Sequence, residues 1–286
     1  MLLHGTNWWW MLFSLLFGVF AQVFRGWRWR QTLEPLDAFP KKSDCVNAIF
    51  ISYAASLVVP RIGEVSRCGV LAKYDNVSFA KSLGTVVTER LVDTLTILLI
   101  TGITVLLQLP IFVTFLQQTG TKIPSLVHLL TSVWFYIILF CFIGVVRKTL
   151  FFYERVKGFV LNIWEGIMSL KGVRNIPLFI FYTLAIWACY FLHFYFTFYC
   201  FAFTAHLGIL AALVMFVGGT FAVIVPTPNG AGPWHFAIIS MMMLYGVNET
   251  DAGIFALIVH GIQTFLVVLL GVYGLAALSL TNRQRK

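Results

Sequence analysis

Glu89, Arg90 and Asp93 stand inside a stretch, 83–107, whose other residues are all apolar, glycine or threonine. On a helix Glu89 and Asp93 share a face at i, i+4, and Arg90 and Asp93 are within pairing reach at i, i+3. Such a group could form the polar wall of a substrate cavity and accept a proton. The plainer alternative is a self-satisfied ion pair that locks the helix to its neighbours. A second group is Arg61-Ile62-Gly63-Glu64-Val65-Ser66-Arg67, directly after Pro60. Gly63 is expected to let the chain turn there. A short helix starting near Glu64 would turn free N–H groups and its positive dipole end toward the break. Arg61 offers a forked donor suited to phosphate, and Glu64 and Arg67 lie at i, i+3. This suits a phospholipid headgroup, with Glu64 opposing an amine or orienting Arg61. The alternative is a capped, salt-bridged loop at the membrane edge.

A third group runs from Pro226 through Pro228, Asn229, Gly230 and Gly232 to His235. Asn229 brings a side-chain amide, the glycines allow close backbone approach, and Pro233 suits a first helical turn. His235 and His260 can titrate near neutral pH, although a lone membrane histidine is more often a hydrogen-bonded packing residue. His193 and His206 rank below them.

The elements that must position these residues are set by composition. The chain has 286 residues, 59% hydrophobic and 11% charged, with a formal charge of +9, and its mean hydropathy is +0.88. Soluble domains carry about 25% charged residues, so a soluble enzyme or a nucleic-acid-binding domain is excluded, and no nucleic-acid partner is expected. Five scattered cysteines and six histidines form neither a C-x-x-C nor an H-E-x-x-H pattern, so neither a metal nor a cofactor is expected. Trp8–Trp10 follow no basic segment or cleavage site and are expected to be interfacial anchors.

A span needs about 20 apolar residues, and five stretches serve: roughly 8–24, 83–107, 125–146, 177–203 and 252–280. Residues 46–59 end in a break at Pro60, and 209–225 end in the break around Pro226. Freed backbone groups survive at membrane depth only in protein or beside a wet cavity, so both are expected to be re-entrant hairpins of two half-helices. Eighteen of the twenty Lys and Arg fall after the first span, in the first hairpin and its exit, after the third span and in the tail. Positive-inside places these in the cytoplasm, with the N-terminus outside and the C-terminus inside. Within 147–172, Phe152, Val156, Phe159, Val160, Ile163, Ile167 and Leu170 share one helical face, which predicts an amphipathic helix on the cytoplasmic surface.

The halves, roughly 1–124 and 125–286 of a single membrane domain, resemble each other weakly. A shift of about 170 residues sets Arg90-Leu91-Val92-Asp93-Thr94-Leu95 on His260-Gly261-Ile262-Gln263-Thr264-Phe265, which adds Gln263 to the candidate residues. Interrupted segments at corresponding places in oppositely oriented halves point to a transporter's midplane site. The fold expected is therefore all-α and polytopic, with five full spans and two re-entrant hairpins in an inverted repeat. The alternative is two unrelated proline breaks.

The run R-x-G-E-x-x-R after a broken helix, then K-S-x-x-T-V-V-x-E-R-x-x-D, then the Pro/Gly-rich second break, resembles the lysylphosphatidylglycerol synthase transmembrane (flippase-like) family from about Asn7 onward. The resemblance implies a bacterial inner-membrane protein. In the family's best-understood members this region moves an aminoacylated lipid between leaflets. Family members usually carry one more N-terminal span, and their second break often reads P-x-P-G-G-x-G before an acidic residue. Here Asn229 and Pro233-Trp234-His235 stand instead, so the headgroup chemistry is expected to differ. No aminoacyltransferase domain follows, so lysyl transfer is not expected. The function expected is lipid translocation without a nucleotide site, since no G-x-x-x-x-G-K-[ST] is present. Its partner is a membrane lipid, anionic or aminoacylated, with a second copy of the chain also admitted. The rivals are a membrane-embedded lipid-modifying enzyme or its subunit, using Glu89, Asp93 and His260 as acid and base, and an accessory protein of an envelope glycosyltransferase.

Overall fold

The computed structural model describes residues 6–111, 113 and 153–283, and among them every regular element is helical. The helices are α1 (Trp8–Leu33), α2 (Lys42–Val58), α3 (Ile62–Tyr74), α4 (Phe79–Leu107), α5 (Tyr153–Met168), α6 (Ile176–Tyr195), α7 (Ile209–Ala222), α8 (Pro233–Leu244) and α9 (Glu249–Arg283). Four stretches are long and apolar enough to cross a membrane: Trp8–Leu36, Phe79–Leu107, Ile176–Cys200 and Glu249–Thr281. The expected span at 125–146 lies outside the described residues.

The first helix differs most from expectation. Sequence places its end near residue 24, at the first arginine, yet α1 continues to Leu33 and carries Arg25 and Arg28 inward. They are buried, at 4% and 0% exposure. An apolar run marks where lipid can be met, not where a helix must stop. A helix continues past arginines when another element supplies carboxylates.

Both breaks form. In the first, Val59 is extended and Arg61 adopts φ 65°, a left-handed conformation uncommon for a residue with a side chain. The turn is thus made at Arg61, and Gly63 has a different duty. A Cβ on Gly63 would stand 2.1 Å from the Ser52 carbonyl, so glycine lets α3 close onto α2. The second break holds a short 3-10 turn, Pro228–Gly230, with Asn229, Gly230 and Gly232 all at positive φ. Pro233 then opens α8.

The order long helix, helix–break–helix, long helix therefore occurs twice, as α1 to α4 and α6 to α9. Packing exchanges partners between the two sets: α1 lies on α6, α2 on α9, and α7 on α4. Arg90 and His260, which the weak repeat aligns, are each eleven residues into their helices, counted from Phe79 and Glu249.

The amphipathic segment is helical over Tyr153–Met168, and it has a protein partner. Gly166 meets Gly84 of α4 so closely that a Cβ on either would fall within 2.3 Å of a backbone carbonyl. Thr88 donates to the Ile167 carbonyl at 3.1 Å, and Lys81 pairs with Glu165 at 2.8 Å. Gly166 and Ser169 are buried while Leu161, Trp164 and Leu170 are exposed, so its small-residue side faces α4. The expectation placed Leu170 on the apolar face of a surface helix and named no protein partner; the contact with α4 is made by the side that carries Gly166 and Ser169. Two glycines permit backbone contact, and contact at that range decides which side turns inward. At the N-terminus, Trp8 and Trp9 are exposed, whereas Trp10 stacks on Phe196.

Candidate functional site

The acidic residues of α4 sit at the centre of an ion network. Asp93 Oδ2 is 2.9 Å from Arg25 and 3.2 Å from Arg90, and its Oδ1 is 2.7 Å from Arg28. Glu89, fully buried, lies 2.7 Å from Arg67 Nη1 through Oε2 and 3.5 Å from Arg28 Nε through Oε1. Arg90 reaches back to Glu64 at 3.4 Å. Arg67, Glu89, Arg28, Asp93, Arg90 and Glu64 thus form one path through three helices, with Arg25 branching from Asp93.

The helix geometry explains the grouping. Glu89 and Asp93 are one turn apart on α4, and Arg25 and Arg28 are nearly one turn apart on α1, so two two-residue faces meet. Neighbouring groups hold the guanidinium planes. Arg28 donates to Thr183 of α6 at 3.2 Å, and Arg67 lies over the Trp29 ring at 4.6 Å. Trp29 is fixed in turn by donating to Thr85 at 2.9 Å. A buried charge is tolerated only with partners of this kind.

Three sequence expectations change here. The i, i+3 pair Arg90–Asp93 exists but is not self-contained, since two arginines from α1 share the carboxylate. Glu64 and Arg67 do not pair with each other, because α3 turns them to different groups on α4. Arg61, which Glu64 was a candidate to orient, pairs with no carboxylate among the described residues. It donates to the Ile224 carbonyl in the opposite break, because the turn at φ 65° aims its side chain across the gap.

The two breaks face each other over a cavity of about 380 Å³. One wall is Ser52, Tyr53 and Ser56 of α2 with Arg61, Glu64 and Arg67, and the other is Val223–Thr227 with Asn229 and Gly230. Arg25, Ile49, Arg90, Thr94 and Thr220 complete it. A second cavity, also about 380 Å³, adjoins and shares Tyr53, Arg90, Thr220 and Val223. The rest of its wall is mainly aromatic and apolar, including Trp187, Phe194, Phe216 and Trp234, and Gln263 is on it. The Tyr53 and Tyr190 hydroxyls meet at 2.7 Å beside Arg25.

His235 and His260 are placed as braces of the second break, not in the wall of the first cavity. Their ring centroids are 4.6 Å apart. His260 Nε2 contacts the Asn229 carbonyl at 3.0 Å, and the Gly232 N–H donates to His235 Nδ1 at 3.3 Å. Asn229 donates from its amide to Thr264 at 2.7 Å. Pro60 precedes the first turn at Arg61, Gly63 lets α3 close onto α2, and Pro226, Pro228, Gly230 and Gly232 build the second turn.

Arg25 and Arg28 escaped the sequence reading. A signal was available: two carboxylates on one face of a span call for cations on a facing helix, and Arg25 and Arg28 have helical spacing.

Comparison with known proteins adds a lineage to this geometry. The model of a family described as the lysylphosphatidylglycerol synthase TM region matches residues 1–271. A UPF0104 membrane protein of Methanocaldococcus jannaschii is 24% identical over 219 residues, which is 76% of this chain and 90% of that protein. No solved structure matches.

Proposed function

The chain belongs to the lysylphosphatidylglycerol synthase transmembrane-region family, and from that premise we propose that this membrane protein is a lipid translocase. The headgroup of a phospholipid or lipid-linked substrate crosses through the polar cavity while its chains stay in lipid. In this reading the two helix–break–helix units are re-entrant from opposite faces of a bacterial plasma membrane and meet near the midplane. The N-terminal end of α1 is outside and the C-terminal end of α9 is cytoplasmic.

The observation that carries the reading is the cavity itself. It lies where two interrupted helices meet, the placement used by transporters with repeated halves, and it is lined by guanidinium groups that suit a phosphate. A translocase needs polar groups at membrane depth but no chemical step. The enzyme alternative needs an acid or base free to react. Glu89 and Asp93 are instead held by arginines, and His260 by the Asn229 carbonyl.

Reconstitution tests this. Vesicles carrying the protein and a fluorescently labelled phosphatidylglycerol are treated with an impermeant quencher. The expected result is loss of the inner-leaflet signal in minutes, slowed at least about tenfold by Arg61→Gln. Signal loss no faster than in protein-free vesicles, with this lipid and with labelled phosphatidic acid alike, would reject the translocase.

A further inference from the structure

The charges around the first cavity do not balance, and this bears on what it holds. Five guanidinium groups stand there: Arg25, Arg61, Arg67 and Arg90 in its wall, and Arg28 behind it. The carboxylates among them are three, Glu64, Glu89 and Asp93. With all three ionised the excess is two positive charges, and protonating any of them increases it.

Among the described side chains no further carboxylate stands in the wall of this cavity. Ten of the eleven Asp and Glu have described side chains, Glu154 being the exception. Glu34 is with Arg30 and Glu165 with Lys81. Asp37 and Asp75 share another hollow. Asp44, Glu249 and Asp251 lie in the first turns of α2 and α9.

The donors are also under-used. Arg67 is 2% exposed and borders the cavity, yet its Nε and Nη2 have no hydrogen-bond partner among the described residues. Buried guanidinium nitrogens without acceptors are costly, and a phosphate oxygen is the acceptor that suits them best.

We propose that the cavity binds a phosphate monoester borne on a lipid, in preference to a diester or an aminoacylated headgroup. The proposal rests on reading the cavity as a headgroup site. A phosphate monoester carries about −1.5 to −2 near pH 7 and so matches the excess. A phosphodiester carries one negative charge, and an aminoacylated one is neutral or cationic. The adjoining aromatic cavity adds the second half of the argument. A free phosphate has no use for it, whereas a lipid phosphate places its first methylenes there, beside Trp187 and Trp234.

The test is binding to the full-length protein in dodecyl maltoside micelles, read by tryptophan emission and by melting temperature. The probes are phosphatidic acid, phosphatidylglycerol, lysylphosphatidylglycerol and inorganic phosphate. Phosphatidic acid is expected to bind about tenfold tighter than phosphatidylglycerol, and the other two weakest. Arg61→Gln should bring phosphatidic acid down to the level of phosphatidylglycerol. Glu64→Gln, which enlarges the positive excess, should preserve or strengthen phosphatidic acid binding, and it keeps the test decisive if the arginine variant fails to fold. Equal affinity for all three lipids overturns the proposal, as does inorganic phosphate binding as tightly as phosphatidic acid. Translocation of phosphatidylglycerol with no monoester preference rejects this proposal alone. Monoester preference without translocation of any lipid rejects the translocase and leaves the binding site.

Discussion

Asp93 is the residue on which the network turns, because three arginines from two helices converge on its two oxygens. Asp93→Asn would leave Arg25 and Arg28 without their main counter-charge in a buried setting, and the expected cost is about 3–5 kcal/mol. Arg90→Gln should cost below about 1 kcal/mol, since Arg90 is 42% exposed and water can replace it. Melting temperatures of purified variants separate the two. Combining Asp93→Asn with Arg25→Gln should cost less than the sum of the single changes, because both act on one pair. Strict additivity would mean that the network is not shared. Glu89, Arg90 and Asp93 were legible in sequence as residues that need partners, because charge is conspicuous in an apolar run. The partners were not. Asp93 and Arg25 are 68 positions apart, and a hydropathy profile ends the first span at the very arginines that complete the site.

At the scale of the helix, glycine decides which faces meet. α4 and α5 are in backbone contact at Gly84 and Gly166, and any side chain there must part them. Gly166→Val is expected to undock α5, at about 1–3 kcal/mol, and to expose it to protease. Gly158→Val, where nothing lies within 4 Å, is the neutral control. Equal protease resistance in both would refute the contact. Here the sequence carried half of the answer. The 3.6-residue pattern predicts a helix, but a hydrophobic face is satisfied equally by lipid or by protein, and periodicity alone does not tell which. The breaks were clearer, because proline beside glycine inside an apolar run has few structural meanings. Only the division of labour between Arg61 and Gly63 was hidden, since a close approach to Ser52 depends on a neighbour and not on local preference.

For the molecule as a whole, the exchange of partners between the two four-helix sets brings the breaks together. Neither set could form the cavity alone, because each supplies one wall. The weak alignment of Arg90 with His260 has physical content at this scale: both lie at the same depth of their helices, and each steadies a break, Arg90 through Glu64 and His260 through the Asn229 carbonyl. Their side chains differ, a guanidinium against an imidazole, so the sequence match is faint although the order of helices repeats. The proposed orientation gives a direct expectation. In a background with all five cysteines replaced by alanine, Lys122→Cys should react with an impermeant reagent added to intact cells, and Gln284→Cys should not. Labelling of position 284 from outside would overturn the orientation.

The placement of Arg25 and Arg28 also fixes an order of events during synthesis. They are synthesised more than sixty residues before Glu89 and Asp93. An arginine at the centre of an inserting helix costs roughly 2.5–3.5 kcal/mol, so the last turns of α1 are expected to wait at the interface while its apolar part, 8–24, enters first. The nascent chain then deepens α1 only when α4 arrives with its carboxylates. Glycosylation mapping of chains arrested before Glu89 should find α1 shallower than in chains arrested after Leu107, and equal depth in both would show that α1 inserts unaided. A lesion in α4 would accordingly be felt first as a failure of α1 to seat, in a protein that never closes the walls of its cavity.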